Sequence, residues 1–162
     1  MLFRSIPTTS NGHRFILVAI DYFTKWVEAA SFASVTKNVV ARVIKQNLIC
    51  RYGIPERIIT DNGTNLNNTI ITALCVQFKI QHHHSSPYRP KMNGAVEATN
   101  KNIKKIIQKM KVTYKDWHEM LPFSLNGYRT TARASTRATP YSLVYGMEAV
   151  LPIEVQDRKS VV

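Results

Sequence analysis

Phe15-Ile16-Leu17-Val18-Ala19-Ile20-Asp21-Tyr22 opens with six consecutive apolar residues, the longest such run in the chain, and Ser10-Asn11-Gly12 precedes it as a turn. Branched side chains without polar interruption predict a buried strand entered from that turn. Working outward, Trp26 to Phe32 reads as the next strand, joined through Thr24-Lys25. Thr36 can cap a helix that carries Val39, Val40, Val43, Ile44, Leu48 and Ile49 at three- and four-residue spacing. Gly53 ends that helix and Pro55 prevents its continuation. Arg57 to Thr60 is expected to be a short buried strand, followed by an Asp61-Asn62-Gly63 turn. A helix over Leu66–Phe78, a strand over Lys79–His84 and a flexible loop over Ser85–Asn93 come next. A long helix runs from about Asn93 to Lys111, and another from Lys115 to Thr130, kinked or broken at Pro122. Pro140 to Gly146 closes the pattern as a short helix. Strands alternating with helices place the chain in the α/β class, with no internal repeat and no dividing linker.

The 162 residues fit one domain, and 44% apolar residues with 9% aromatics make a globular composition. Six apolar residues in a row are too few to span a bilayer, and no signal-peptide pattern opens the chain. Cys50 and Cys75 form neither a disulfide framework nor a metal-type pair, which suits a reducing compartment. His82-His83-His84 on a strand would point alternately to its two faces, so all three cannot ligate one ion. The charge is more telling. Lys and Arg total 22 against 10 Asp and Glu, a net charge of +12. Residues 85–137 contribute +8 of it, with 11 basic residues against Glu97, Asp116 and Glu119. A surplus this concentrated points to a polyanion such as nucleic acid or an anionic membrane face. The long helix has too few large apolar residues opposite its lysines to lie in a membrane surface. Tyr88, Tyr114, Trp117 and Tyr128 are interleaved with the basic residues, and such aromatics serve a core more often than a base-stacking platform.

Two acids stand apart. Asp61 follows a strand, where open α/β sheets place functional groups, and Glu97 lies near the start of the long basic helix. Carboxylates from a strand end and a nearby helix can converge on Mg²⁺ or Mn²⁺, which take hard oxygen ligands. The same residues have ordinary readings as a turn former and a helix-dipole acid. Lys101, Lys104 and Lys105 follow Glu97 at i+4, i+7 and i+8 and share its helix face. A surface salt-bridge ladder also predicts that face, but not its excess of lysine.

Ile59-Thr60-Asp61-Asn62-Gly63-Thr64 resembles the second-Asp motif of retroviral and retrotransposon integrase catalytic cores. Ser86-Pro87-Tyr88-Arg89-Pro90-Lys91-Met92-Asn93-Gly94-Ala95-Val96-Glu97-Ala98-Thr99-Asn100-Lys101 resembles the Glu motif, and the 35 residues between Asp61 and Glu97 match that family's spacing. The stretches from Gly12-His13-Arg14-Phe15 to Asp21-Tyr22-Phe23-Thr24-Lys25-Trp26, and from Ala138-Thr139-Pro140-Tyr141 to Tyr145-Gly146, are similar to gypsy-type LTR retrotransposons of the sort common in plant genomes. The resemblance covers roughly residues 5–155.

It implies a ribonuclease H-like fold, a mixed five-stranded sheet flanked by helices, over a catalytic core of residues 1–155 with a tail of 156–162. It also implies polynucleotidyl transfer: two divalent ions on an Asp-Asp-Glu triad activate water or a DNA 3′-hydroxyl for attack on a phosphodiester. By this resemblance Asp61 and Glu97 are catalytic metal ligands for Mg²⁺ or Mn²⁺, and Asn62 and Gly63 shape the site. Tyr88, Arg89, Lys91 and Asn93 form the loop near the DNA end, Lys101, Lys104 and Lys105 hold phosphates, and Asn100 supports DNA binding. The partners implied are retroelement ends and target DNA, with a homodimer or higher oligomer, in the nucleus. The family's first Asp has no counterpart, because residues 1–20 contain no Asp or Glu. The Trp-Gly-x-Asp segment would fall at or before Met1, so the first strand is expected to be truncated or replaced by Leu2–Ile6. Asp21 is the candidate substitute for that third catalytic carboxylate, but its position at the end of the second hairpin strand favours hydrogen bonding within the turn to Thr24 or Lys25. The chain therefore reads as an N-terminally truncated integrase core, poor at joining strands. The alternative is a non-catalytic nucleic-acid-binding or oligomerising remnant of a retrotransposon polyprotein.

Overall fold

A computed structural model describes residues 11–84, 101–110, 112–113 and 115–149 in full, and residues 2–4, 90–100 and 111 by backbone alone. The decisive stretch is strand β2 (Phe15–Ile20), the centre of an antiparallel trio with β1 (Leu2–Arg4) and β3 (Val27–Phe32). Leu2 pairs with Leu17 and Phe15 with Phe32, so residues 2–4 of the expected Leu2–Ile6 pairing segment form the first strand, and residues 5–6 lie outside the described residues. A second, parallel pair joins β4 (Arg57–Thr60) to β5 (Gln81–His84), with Thr60 opposite His84. Five strands were expected in one mixed sheet. Among the described residues the hydrogen bonding divides into the trio β1–β2–β3 and the pair β4–β5.

The continuous apolar run in β2 is explained by burial on both faces. Ile16 and Val18 pack with Val27 against α4 (Pro90–Thr113) and α5 (Trp117–Arg129), through Ile103, Ile107, Met110, Trp117, Leu121, Leu125 and Tyr128. Leu17 points the other way, to Val40, Ala41 and Ile44 and to Ile71, Leu74 and Cys75 of α3 (Thr69–Gln77). Trp117 and Tyr128 are thus core residues, as their spacing suggested.

Thr36 caps α1 (Lys37–Val43) by accepting from the Val39 N–H at 3.3 Å. The helix then widens into π-helical turns over Ile44–Ile49, ends with α2 (Cys50–Tyr52), and stops at Gly53, whose φ of 89° only glycine takes without strain. The π-helical turns had no signature in the apolar spacing. The helix expected from Leu66 begins later, at Thr69, because Asn68 takes the cap by accepting from Ile70 and Ile71 N–H. The expected loop over Ser85–Asn93 is shortened from its C-terminal side, since Pro90 to Asn93 already belong to α4. Proline suits a helix start, where its missing N–H is not needed. Residues 85–89 lie outside the described residues, as do Tyr114 and the expected tail at 156–162. Pro122 does not break α5. It is exposed and forfeits one backbone hydrogen bond, while Leu121 and Leu125 anchor the helix on either side. The β4 strand is also less buried than expected: Arg57 and Ile59 face outward, and Ile58 and Thr60 face the core. The last helix, α6 (Pro140–Tyr145), is capped by Thr139 and ended by Gly146 in the left-handed region.

Glu28 of β3 ties these layers together. Its carboxylate accepts from Tyr52, from Trp26 Nε1 at 3.0 Å and from the Arg129 guanidinium at 3.1 Å. Arg129 also donates to the Val27 carbonyl and lies 4.3 Å from the Trp26 ring. Burial and the Glu28 bond push the Tyr52 phenol up to about 12, so it remains a donor. Ile16→Ala should lower unfolding free energy by about 2–5 kcal/mol, the cost of a cavity in a sealed core. Ile59→Ala, at a residue 56% exposed, should change it by under about 0.5 kcal/mol. Urea denaturation of both variants checks the contrast.

Candidate functional site

Asp61 begins where β4 ends. The chain turns over Asp61-Asn62-Gly63, and the Gly63 N–H donates to Asp61 Oδ1 at 3.1 Å. A Cβ on Gly63 would stand 3.2 Å from the same oxygen, so a side chain there would crowd the carboxylate. Gly63 N–H and its missing side chain together define where Asp61 Oδ1 sits. Asn62 is exposed on the turn, and Asp61 is half-buried.

A second set of contacts fixes the turn from the other side, and no sequence signal singled it out. Asn67 Nδ2 donates to the Asp61 carbonyl at 2.5 Å. Asn67 Oδ1 accepts from the Thr60 hydroxyl at 2.5 Å and meets His84 Nδ1 at 2.7 Å. His82 Nε2 lies 3.0 Å from the Thr60 hydroxyl, and the His82 and His84 rings meet edge-on with centroids 4.9 Å apart. His82 and His84 share one strand face and His83 is exposed on the other, so the three histidines alternate as expected. Asn67 follows Asp61 at i+6, a spacing with no turn or helix rule attached to it.

The remaining candidates are placed as follows. Glu97, Lys91, Asn93 and Asn100 lie on α4, where only the backbone is described, and Glu97 precedes Lys101 by about one helical turn. Tyr88 and Arg89 fall outside the described residues. Lys101, Lys104, Lys105 and Lys109 are exposed on α4, opposite the Ile103–Ile107–Met110 stripe. Not all of the basic segment faces outward as the charge count suggested. Arg129 is spent on Glu28 and the Val27 carbonyl, and Arg133 lies over the Tyr128 ring and donates to the Tyr128 carbonyl. A charge count cannot separate guanidinium groups that brace the fold from ammonium groups that face solvent.

Asp21 lies exposed in the β2–β3 hairpin turn. Its Oδ2 accepts from the Thr24 N–H at 3.1 Å and the Thr24 hydroxyl at 2.5 Å, while Lys25 N–H donates to its carbonyl. Among the described residues no group of three or more His, Cys, Asp or Glu side chains converges. As a donor set, Asp61 offers hard carboxylate oxygen at a strand end, held in place by Gly63, and this fits Mg²⁺ or Mn²⁺. No described helix is long and apolar enough to cross a membrane.

The family model described as "Integrase core domain" matches residues 4–90. The Gag-Pol polyprotein of Avian reticuloendotheliosis virus is 31% identical over 147 residues, covering 90% of this chain and 13% of the polyprotein. The retrovirus-related Pol polyprotein from transposon 412 of Drosophila melanogaster is 31% identical over 148 residues, covering 91% of this chain and 12% of its own length. The chain thus spans only about an eighth of these relatives. The crystal structure of the catalytic core domain of BIV integrase superposes with a TM-score of 0.71 at 23% identity, covering 99% of this chain and 95% of that one. The simian T-cell lymphotropic virus intasome in complex with PP2A regulatory subunit B56 gamma gives 0.70 at 22% identity, covering 94% of this chain and 54% of that one. The fold is that of these cores, ribonuclease H-like, as the motifs implied.

Burial, with His84 and His83 alongside, holds His82 below the ordinary histidine value of 6.5. The folded state then binds fewer protons than the unfolded chain, so stability is lost as pH falls from about 6.5 towards the lowered folded value. The urea midpoint should drop on acidification through that window, and His82→Gln should flatten the drop. An unchanged slope in the variant would contradict the assignment.

Proposed function

Because this chain belongs to the integrase core domain family, we propose that it is the DNA-handling core of a gypsy-type retroelement integrase, acting on element ends and target DNA in the nucleus as an oligomer. The observation that carries this reading is Asp61, a carboxylate fixed at the end of β4 by Gly63 and Asn67. Asp61 and Glu97 would hold Mg²⁺ or Mn²⁺. Bound there, the ion supplies Lewis-acid activation of a water or DNA 3′-hydroxyl and stabilises the leaving oxygen. The chain's own residues do the rest. Lys101, Lys104 and Lys105 neutralise backbone phosphates from the exposed face of α4. Asn100, Lys91 and Asn93, from the first half of α4, and Tyr88 and Arg89, just before it, contact the DNA end. Asn62 and Gly63 shape the turn, and Gly63, having no side chain, leaves room beside the carboxylate.

The engagement of Asp21 by Thr24 favours a second reading, in which the chain binds nucleic acid or oligomerises without joining strands. Under the first reading Asp21, bonded to Thr24 in its hairpin turn, is not a ligand, and joining is weak.

Duplex binding followed by fluorescence anisotropy should fall steeply with salt. Replacing Lys101, Lys104 and Lys105 by alanine should flatten the log–log slope by up to about 3, near 0.9 per phosphate contact. In a strand-transfer assay with Mg²⁺ or Mn²⁺ on a matching terminal-repeat end, weak joining should be lost in Asp61→Asn and kept in Asp21→Asn. Vigorous joining abolished by Asp21→Asn would make Asp21 a ligand after all. Salt-sensitive binding with no joining in either metal would select the second reading.

A further inference from the structure

The Asn67 side chain meets the end of β4, the Asp61 turn and the end of β5 at one amide. The Asp61 carbonyl can only accept, so Asn67 must present its Nδ2 there, at 2.5 Å. Its Oδ1 then faces the other way, where every partner must be a donor. The Thr60 hydroxyl, 2.5 Å away, therefore spends its proton on Asn67, and its oxygen is left to accept from His82 Nε2 at 3.0 Å. His84 Nδ1, at 2.7 Å, must carry a proton too. The network runs in one direction, from His82 through Thr60 to Asn67 Oδ1, with His84 joining at the same oxygen. The amide hands the constraint on to the Asp61 backbone. It fixes the tautomers as Nε2–H on His82 and Nδ1–H on His84. Protonating either histidine leaves these donors in place, so acidification does not undo the tether.

We propose that Asn67 is a positioning residue for Asp61, with Thr60 and His84 setting the orientation of its amide. This rests on the reading of Asp61 as a metal-binding carboxylate. The site has two tethers. Gly63 N–H holds the carboxylate itself, and Asn67 holds the carbonyl of the same residue. Thr60 is only 7% exposed, so its hydroxyl depends on these partners rather than on water. Partners of this kind, which touch a ligand residue and not the ion, commonly set metal affinity.

Three measurements on the whole chain test it. In the unmodified protein, nitrogen NMR of the imidazoles should find His84 as the Nδ1–H tautomer and His82 as Nε2–H. His84 in the Nε2–H form overturns the directed network. In Asn67→Ala the Gly63 amide should exchange about fivefold faster, the effect of losing one modest hydrogen bond, while β2 amides stay unchanged. His84→Ala, a change at an exposed residue that leaves the core intact, should shift Gly63 the same way by less. Gly63 exchange within about twofold of the parent in both variants overturns the positioning role. Mn²⁺ affinity, read from broadening of the Gly63 resonance, should fall about tenfold in Asn67→Ala at a temperature where the variant is still fully folded. Broadening that persists in Asp61→Asn overturns the metal reading itself. The two failures are separable, because Gly63 exchange is measured without metal or DNA.

Discussion

Burial of β2 on both faces is the constraint from which the rest of the molecule follows. Ile16 and Val18 can leave water only if α4 and α5 cover one side, and Leu17 only if α1 and α3 cover the other. Each fully buried aliphatic side chain contributes roughly 1.5–3 kcal/mol, so neither layer can be removed without a cost comparable to much of a domain's net stability. This arrangement also orients the charge of α4. Packing Ile103, Ile107 and Met110 inward turns Lys101, Lys104, Lys105 and Lys109 outward, because a helix with a filled apolar stripe has nowhere else to put its cations.

The net charge of +12 divides between two physical roles. Arg129 braces α5 against β3 through Glu28, the Val27 carbonyl and the Trp26 ring, in a setting where Glu28 retains little exposure. A half-buried pair of this kind is damaging to break, since the partner would be left as an uncompensated charge. Arg suits that role because its planar fork bonds and stacks at once, whereas the lysines of α4 act as solvated point charges suited to phosphates. The same residue class thus holds the scaffold at one end of the basic segment and presents exposed positive charge at the other.

At the site, two of the carboxylates singled out by sequence have different surroundings where the structure describes them. Asp61 follows a strand whose end is locked by a parallel neighbour, and its backbone and carboxylate are tethered separately. Asp21 closes a hairpin by bonding Thr24, the use to which an acid in a tight turn is most often put. Equal residue type therefore does not mean equal chemistry. What differs is the setting: Asp61 is half-buried at a strand end with its carbonyl held by Asn67, whereas Asp21 is exposed in a hairpin turn and bonded only to its near neighbours Thr24 and Lys25.

The sequence by itself determined those features that depend on near neighbours: the apolar run of β2, the Thr36 cap, the Gly53 and Gly146 stops, the alternation of His82 to His84, and the motifs around Asp61 and Glu97. These signals extend over a few residues, so local sterics and hydrogen bonding suffice to specify them. The start of α3 moved because Asn68 outcompeted the upstream apolar residues as a cap. The start of α4 moved because Pro90 is as good an opening for a helix as an ending for a loop. Pro122 stayed helical because core burial of Leu121 and Leu125 outweighed one missing backbone bond. Only the tertiary structure decided which arginines are internal, and only it brought His84 to the Asn67 amide that holds the Asp61 carbonyl. That meeting depends on the parallel register of β4 and β5, which sets Thr60 opposite His84 across 24 positions of chain. No local pattern records such a pairing, because the free energy that selects it comes from packing both strands at once on a shared core.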